Sequence, residues 1–151
     1  MILFYHLTRS TAEETAQQLL SRAADRAMRV MLRGTDPGAL SRLDDLLWLQ
    51  PEEGFLPHGM QGGPHDADQP LLLGTGAAVN GAVGLMLTGG AEVSEEEARG
   101  MERVWILFDG ADGAALAHAR GQWSQLTAAG LAAQYWSEES GRWEKKAGKN
   151  E

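Results

Sequence analysis

The stretch Val104-Trp105-Ile106-Leu107-Phe108, ended by Asp109-Gly110 and followed by a helical pattern from Asp112 to Ala129, decides how this chain folds. Five consecutive apolar residues, β-branched and aromatic among them, suit a strand covered on both faces, as in a parallel sheet flanked by helices. Gly130 falls where a left-handed end to the long helix is expected. Ile2 to Leu7 is a second apolar, aromatic-rich run of the same kind. Ser10 or Thr11 then caps a helix, since Glu13 and Glu14 stand three residues after each. Ala16, Leu19, Leu20, Ala23, Ala24 and Ala27 give that helix one apolar face. Val30 to Leu32 reads as a short strand stopped by Gly34. Asp36-Pro37 opens a second helix with a buried stripe of Leu40, Leu43, Leu46 and Leu47, closed by Pro51. Residues 51 to 70 hold four of the five prolines, which predicts a long irregular connection. Leu71 to Leu73 and Val83 to Leu87 are further strands, Glu92 to Met101 a short helix with an acidic start, and Ala132 to Trp136 a last strand. Ser137 to Glu151 is a polar hairpin or tail.

Strands thus alternate with helices, and several are continuously apolar. The expected fold is α/β, a single domain with a mostly parallel sheet and helices on both faces, Rossmann-like but without nucleotide-binding motifs. The 151 residues suit one domain. No stretch is apolar enough for a bilayer span, since Leu71 to Thr88 is broken by Thr75, Asn80 and glycines. The N-terminus lacks the pattern of an export signal, and cysteine is absent, so the expected location is cytoplasmic. A net charge of −8, with only three lysines and all of them in the last seven residues, argues against direct binding of nucleic acid. Any anionic ligand must be met by one or two of the scattered arginines in a shaped pocket.

Motifs for chemistry are missing. There is no phosphate-binding loop, and the first strand runs into Thr8-Arg9-Ser10 where a dinucleotide fold would carry Gly-x-Gly-x-x-Gly. Gly74-Thr75-Gly76 and Gly89-Gly90 read as loop geometry. His58 and His65, with Asp66 and Asp68, match no metal motif, so no metal and no cofactor are expected. No nucleophile elbow is present, and Asp44-Asp45 and Asp109 read as solvated carboxylates. Catalytic residues are therefore not assigned. On the long helix Arg120 and Trp123 share a face, offering a guanidinium beside an apolar shelf that suits a peptide ending in a carboxylate and an aromatic ring. The competing reading packs Trp123 on the sheet with Arg120 turned outward. Trp48 and Phe55 bracket Pro51, and are either core cover or binding anchors.

The stretch Arg42-Leu43-Asp44-x-x-Leu47-Trp48-x-x-Pro51-Glu52-x-x-Phe55-Leu56-Pro57-His58 resembles the chi subunit family of the bacterial DNA polymerase III holoenzyme, accessory proteins of the clamp loader. The opening strand with Phe4-Tyr5 and the closing helix with Arg120, Trp123 and Gly130 resemble the same family. The similarity spans most of the chain and is weakest from Gly59 to Arg103. It implies a chi-like α/β domain over residues 1–136, with a polar C-terminal extension over 137–151. It also implies a protein without catalytic activity that binds the acidic, Phe-ended tail of single-stranded DNA-binding protein and the psi subunit, or in some members a DNA-repair helicase. On that resemblance the tail site falls on Arg120, Trp123 and Ser124, the last standing where family members often have lysine. The psi or helicase contacts fall on Trp48, Pro51 and Phe55. The rival expectations are a small nucleotide-dependent enzyme on the same sheet, motivated by Asp109 at a strand end, and a degenerate nucleotide fold kept as a scaffold.

Overall fold

The computed structural model describes residues 1–49 and 57–151. Its elements are β1 (Ile2–Leu7), α1 (Ala12–Asp25), β2 (Val30–Arg33), α2 (Pro37–Trp48), β3 (His58–Met60), β4 (Leu71–Gly74), β5 (Gly84–Leu87), α3 (Glu95–Arg99), β6 (Arg103–Asp109), α4 (Gly113–Ala128), β7 (Ala133–Ser137) and β8 (Glu144–Lys149). The eight strands form one sheet in the order β3-β4-β2-β5-β6-β1-β7-β8. Every neighbouring pair is parallel except β7 and β8. This is the α/β arrangement that the apolar runs predict.

Alternation along the strands divides the interior. Leu3 and Leu7 of β1 pack with Trp105, Leu107 and the apolar faces of α1 and α2. Ile2 and Phe4 point the other way, to Ile106, Phe108, Ala98 of α3 and Leu126 of α4. Strands sandwiched in this way can be apolar on both faces, which is why β6 shows no polar alternation. Deleting a ring as enclosed as that of Phe4, which is fully buried, costs about 3–5 kcal/mol.

Local chemistry sets the helix ends. Thr11 Oγ1 accepts the Glu14 N–H at 3.1 Å, so Thr11 and not Ser10 caps α1. Asp36 Oδ1 accepts the Gly38 N–H, with Pro37 in the first turn of α2. Gly130 closes α4 at φ +89°, a conformation that a side chain would strain. Gly110 is needed for another reason: a Cβ there would collide with the His6 ring at the end of β1.

Several expectations are corrected. The short helix is Glu95–Arg99, capped by Ser94 Oγ accepting the Glu97 N–H, and does not begin at Glu92. The Glu92 carbonyl instead accepts from Arg33 Nη1 at 2.9 Å, and the two oxygens of Glu97 close a bidentate pair with Arg33 at 2.7 and 2.8 Å. The described part of the supposed irregular connection contains β3, whose Met60 sits opposite Leu73. Three residues are too few for a visible alternation, so its signal is lost in the sequence. Leu46 is 38% exposed and does not join the stripe of Leu40, Leu43 and Leu47. The end of α2 at Leu49 precedes Pro51, which lies outside the described residues.

The final segment folds back as a hairpin, with Tyr135 opposite Ala147 and Ala133 opposite Lys149. Its turn is held by Glu138, a carboxylate only 5% exposed. Glu138 Oε1 accepts the backbone N–H groups of Thr8, Arg9 and Ser10 at 3.0, 2.8 and 2.6 Å, and Oε2 accepts the Ser10 hydroxyl at 2.9 Å. Trp143 then packs edge-on against Tyr5, with ring centroids 5.1 Å apart. Burial alone would push the Glu138 carboxyl upward, but the hydrogen bonds from Ser10, Arg9 and Thr8 outweigh it and hold the group below the usual carboxylate range. Since the folded-state value lies below the unfolded value of about 4.3, the ionised carboxylate contributes stability above that pH. The contribution is lost as pH falls through the folded-state value. Glu138→Gln is expected to cost about 2 kcal/mol at pH 7, the scale of hydrogen bonds to a charged group. In urea denaturation the gap from the parent should close on acidification below about pH 4; a gap that stays constant with pH would contradict this account.

Candidate functional site

α4 lies on the face of the sheet that carries Ile2 and Phe4. Asp112 Oδ1 starts the helix by accepting the N–H groups of Ala114 and Ala115. Ala119, Gln122, Leu126 and Thr127 are buried beneath it, which leaves Arg120 and Ser124 exposed and Trp123 between them half-buried. The indole meets Phe4 edge-on at 5.3 Å and Tyr135 at 5.9 Å, while Phe4 and Tyr135 stack at 6.4 Å. Such edge-to-face pairs fix ring orientation as well as burying area. The Tyr135 hydroxyl lies 2.8 Å from His6 Nδ1. Burial raises the Tyr135 phenol above its ordinary range, and the Arg120 charge partly offsets that shift, so the guanidinium is within electrostatic reach of this ring.

Both readings of Trp123 therefore meet in one arrangement. The indole packs on the sheet, yet stays partly open beside an exposed guanidinium. Thr127 Oγ1 donates to the Trp123 carbonyl at 2.7 Å, tying down the next turn. Nothing in the local sequence marks Tyr135 as part of this cluster. Only the pairing of β7 with β1, which sets Tyr135 opposite Phe4, brings it under the helix.

Three other arginines are committed elsewhere. Arg29 donates to the carbonyls of Asn80, Ala67 and Gln69, and Arg33 to Gly76, Glu92 and Glu97. Arg99 donates to the Ala129 carbonyl. Arg120 has no salt bridge among the described residues.

Trp48, at the end of α2, is 49% exposed, and Leu49 is 74% exposed beside it. The indole lies over the His58 ring, centroids 4.1 Å apart. His58 is buried with Nε2 3.0 Å from Asp44 Oδ1, so Asp44 is engaged and not simply solvated. Trp48 is thus presented outward from a braced junction of α2 and β3. Pro51 and Phe55 lie outside the described residues. His65 faces Asp68 at 3.7 Å on the exposed 3-10 turn, and the described residues hold no group of three or more potential metal ligands.

A cavity of about 710 Å³ opens at the carboxyl ends of β1, β5 and β6, between the starts of α1 and α4. Ligands of doubly wound sheets bind in this position. Its charged rim here is Glu13, Asp109 and Asp112, with His118 and no lysine or arginine. The backbone N–H groups of the β1–α1 turn, which would face a phosphate, are taken by Glu138. Negative lining and an occupied anion cradle both oppose nucleotide binding.

No helix among the described residues is long and apolar enough to cross a membrane. A comparison with curated proteins gave no match. The family model for the DNA polymerase III chi subunit, HolC, matches residues 1–134, which include β1 to β6 in full and the first two residues of β7, together with the α4 helix and the end of α2. The chain belongs to the DNA polymerase III chi subunit family.

Proposed function

We propose that this chain is a non-catalytic accessory subunit of the DNA polymerase III clamp-loader complex in DNA replication. In this reading it links the complex, through psi, to the acidic C-terminal tail of single-stranded DNA-binding protein. The observation that carries the reading is the exposed Arg120 guanidinium on the same helix face as the half-buried Trp123, whose ring meets the half-buried Tyr135 and is backed by the fully buried Phe4. A terminal carboxylate pairs with a guanidinium through two parallel hydrogen bonds, and an aromatic side chain at the same terminus finds an apolar ledge within one helical turn. Ser124 offers a hydroxyl and no charge where family members often carry lysine, so the carboxylate depends mainly on Arg120. The net charge of −8 is compatible with such a partner, because recognition is local and does not need a positive field.

The second surface is the end of α2. Trp48 and Leu49, exposed, with Leu46 at 38%, form an apolar patch of the kind that anchors a protein partner. We assign psi to it, with Trp48, Pro51 and Phe55 as contacts; a repair helicase is the alternative occupant of the same patch.

Arg120→Ala should weaken binding of a peptide ending in acidic residues, Pro and Phe by about tenfold or more, the scale of a charge-assisted hydrogen bond, with an unchanged melting temperature. Calorimetric titration showing parent affinity would remove the site from α4. Trp48→Ala and Phe55→Ala should each weaken docking of psi or the helicase by about tenfold, as expected for aromatic anchors, and leave tail binding intact. If Phe55→Ala unfolded the protein, Phe55 would belong to the core and not to the contact surface.

A further inference from the structure

We propose that Lys149, on β8, is a second cation of the peptide-binding surface and takes an acidic side chain upstream of the terminal carboxylate held at Arg120. This rests on the reading of α4 given above. β8 starts ten residues after the segment matched by the family model ends, so its contribution belongs to this chain and is not carried over from the family.

The pairing register places Lys149. It stands opposite Ala133, and Ala147 opposite Tyr135, so Lys149 and Ala147 share the face on which α4 lies. β8 is the edge strand and both residues are exposed, leaving an open shelf next to the helix that continues from Tyr135. Asn150, in the left-handed conformation at φ +59°, fastens the end of the shelf: its Nδ2 donates to the carbonyls of Thr127 and Leu131 at 2.8 and 3.0 Å. Asn150, next to Lys149 in the chain, thus ties the end of β8 to the turn of α4 that follows Trp123.

Charge pairing singles out Lys149 among the three lysines. Lys145 stands opposite Trp136 on the other face, and its Nζ is bound by both Glu151 oxygens at 2.9 and 2.8 Å. Lys146 lies 3.4 Å from Glu144. Lys149 has no salt bridge among the described residues. Glu139, the carboxylate whose charge reaches Tyr135, sits at the opposite end by His6.

Spacing fits an extended peptide. Residues 120 and 127 of a helix are separated by about 10 Å along its axis, and a strand advances about 3.3 Å per residue. Arg120, beside Tyr135, and the end of β8, tied to Thr127 by Asn150 and carrying Lys149, thus bracket about three residues of an extended chain. The occupant that fits is a C-terminal peptide with a terminal carboxylate, an aromatic last residue and an acidic residue roughly three positions back.

The test is calorimetric titration of the full chain with a peptide ending in acidic residues, Pro and Phe, and with the same peptide whose acids are replaced by alanine. Lys149→Ala should weaken the acidic peptide about two- to fivefold, the range of an exposed ion pair. Lys149→Glu should weaken it further, and neither should alter binding of the alanine-substituted peptide. Lys145→Ala, which removes the same charge from the opposite face, should change nothing. Parent affinity in both Lys149 variants alongside a loss in Arg120→Ala overturns the role of Lys149 and leaves the α4 site standing. Equal losses in Lys145→Ala and Lys149→Ala reduce the effect to net charge and also overturn it. Parent affinity in Arg120→Ala and Lys149→Ala together defeats the α4 reading itself.

Discussion

The Glu138 carboxylate, enclosed and held by three successive backbone N–H groups and a hydroxyl, is the contact on which much of this architecture depends. Turns with consecutive N–H groups aimed outward attract anions, and at the carboxyl end of a first parallel strand that anion is commonly a ligand phosphate. Here the chain supplies its own. The consequence for shape is that the β7–β8 turn is pinned to the β1–α1 turn, so β8 joins the sheet as an ordered edge. The consequence for chemistry is that the strand-end crevice loses its anion cradle and keeps only an acidic rim. The topology of a nucleotide fold is kept while its strand-end turn is closed off by the chain's own carboxylate.

The proposed recognition surface lies on the flank of the sheet. Most of the arginines near the strand ends have structural tasks: Arg29 and Arg33 gather the carbonyls of the long segment between β3 and β5. Their charges are neutralised or spent on backbone dipoles. The α4 flank is where one of them, Arg120, stands next to partly open aromatic rings. In a chain of net charge −8, such a local pairing of cation and ring matters more than it would on a basic protein, because competing anions are repelled from most of the surface.

The sequence makes the strands legible where burial on both sides demands continuous apolar runs, as in Val104 to Phe108, and the helices where caps such as Asp36-Pro37 are unambiguous. It hides β3, whose three residues include a glycine, and it overstates the helix near Glu92, because the side chain that claims the Glu92 carbonyl is Arg33, 59 residues away. Arg120 and Trp123 are readable as neighbours since helical spacing is local. Tyr135 and Lys149 are not, because their places on that surface follow from strand register and from the hairpin fixed by Glu138. The family resemblance, too, speaks only of the positions it covers, and Lys149 lies beyond them.

The topology also bears on how one small domain would serve the two partners proposed for it. α2 packs at the β3–β4 end on the face of Leu3, and α4 packs on β6 on the face of Phe4, with Trp123 reaching Phe4 of β1 and Tyr135 of β7. β4 and β7 are five strand spacings apart in the sheet order, which at about 4.8 Å each is about 24 Å. Two macromolecules docked at Trp48 and at Arg120 would thus approach from opposite faces and opposite edges without competing for area. A rigid parallel sheet between them, packed tightly on both sides, holds that separation constant. In the proposed reading, two such surfaces kept at a fixed distance would let capture at one raise the effective concentration at the other.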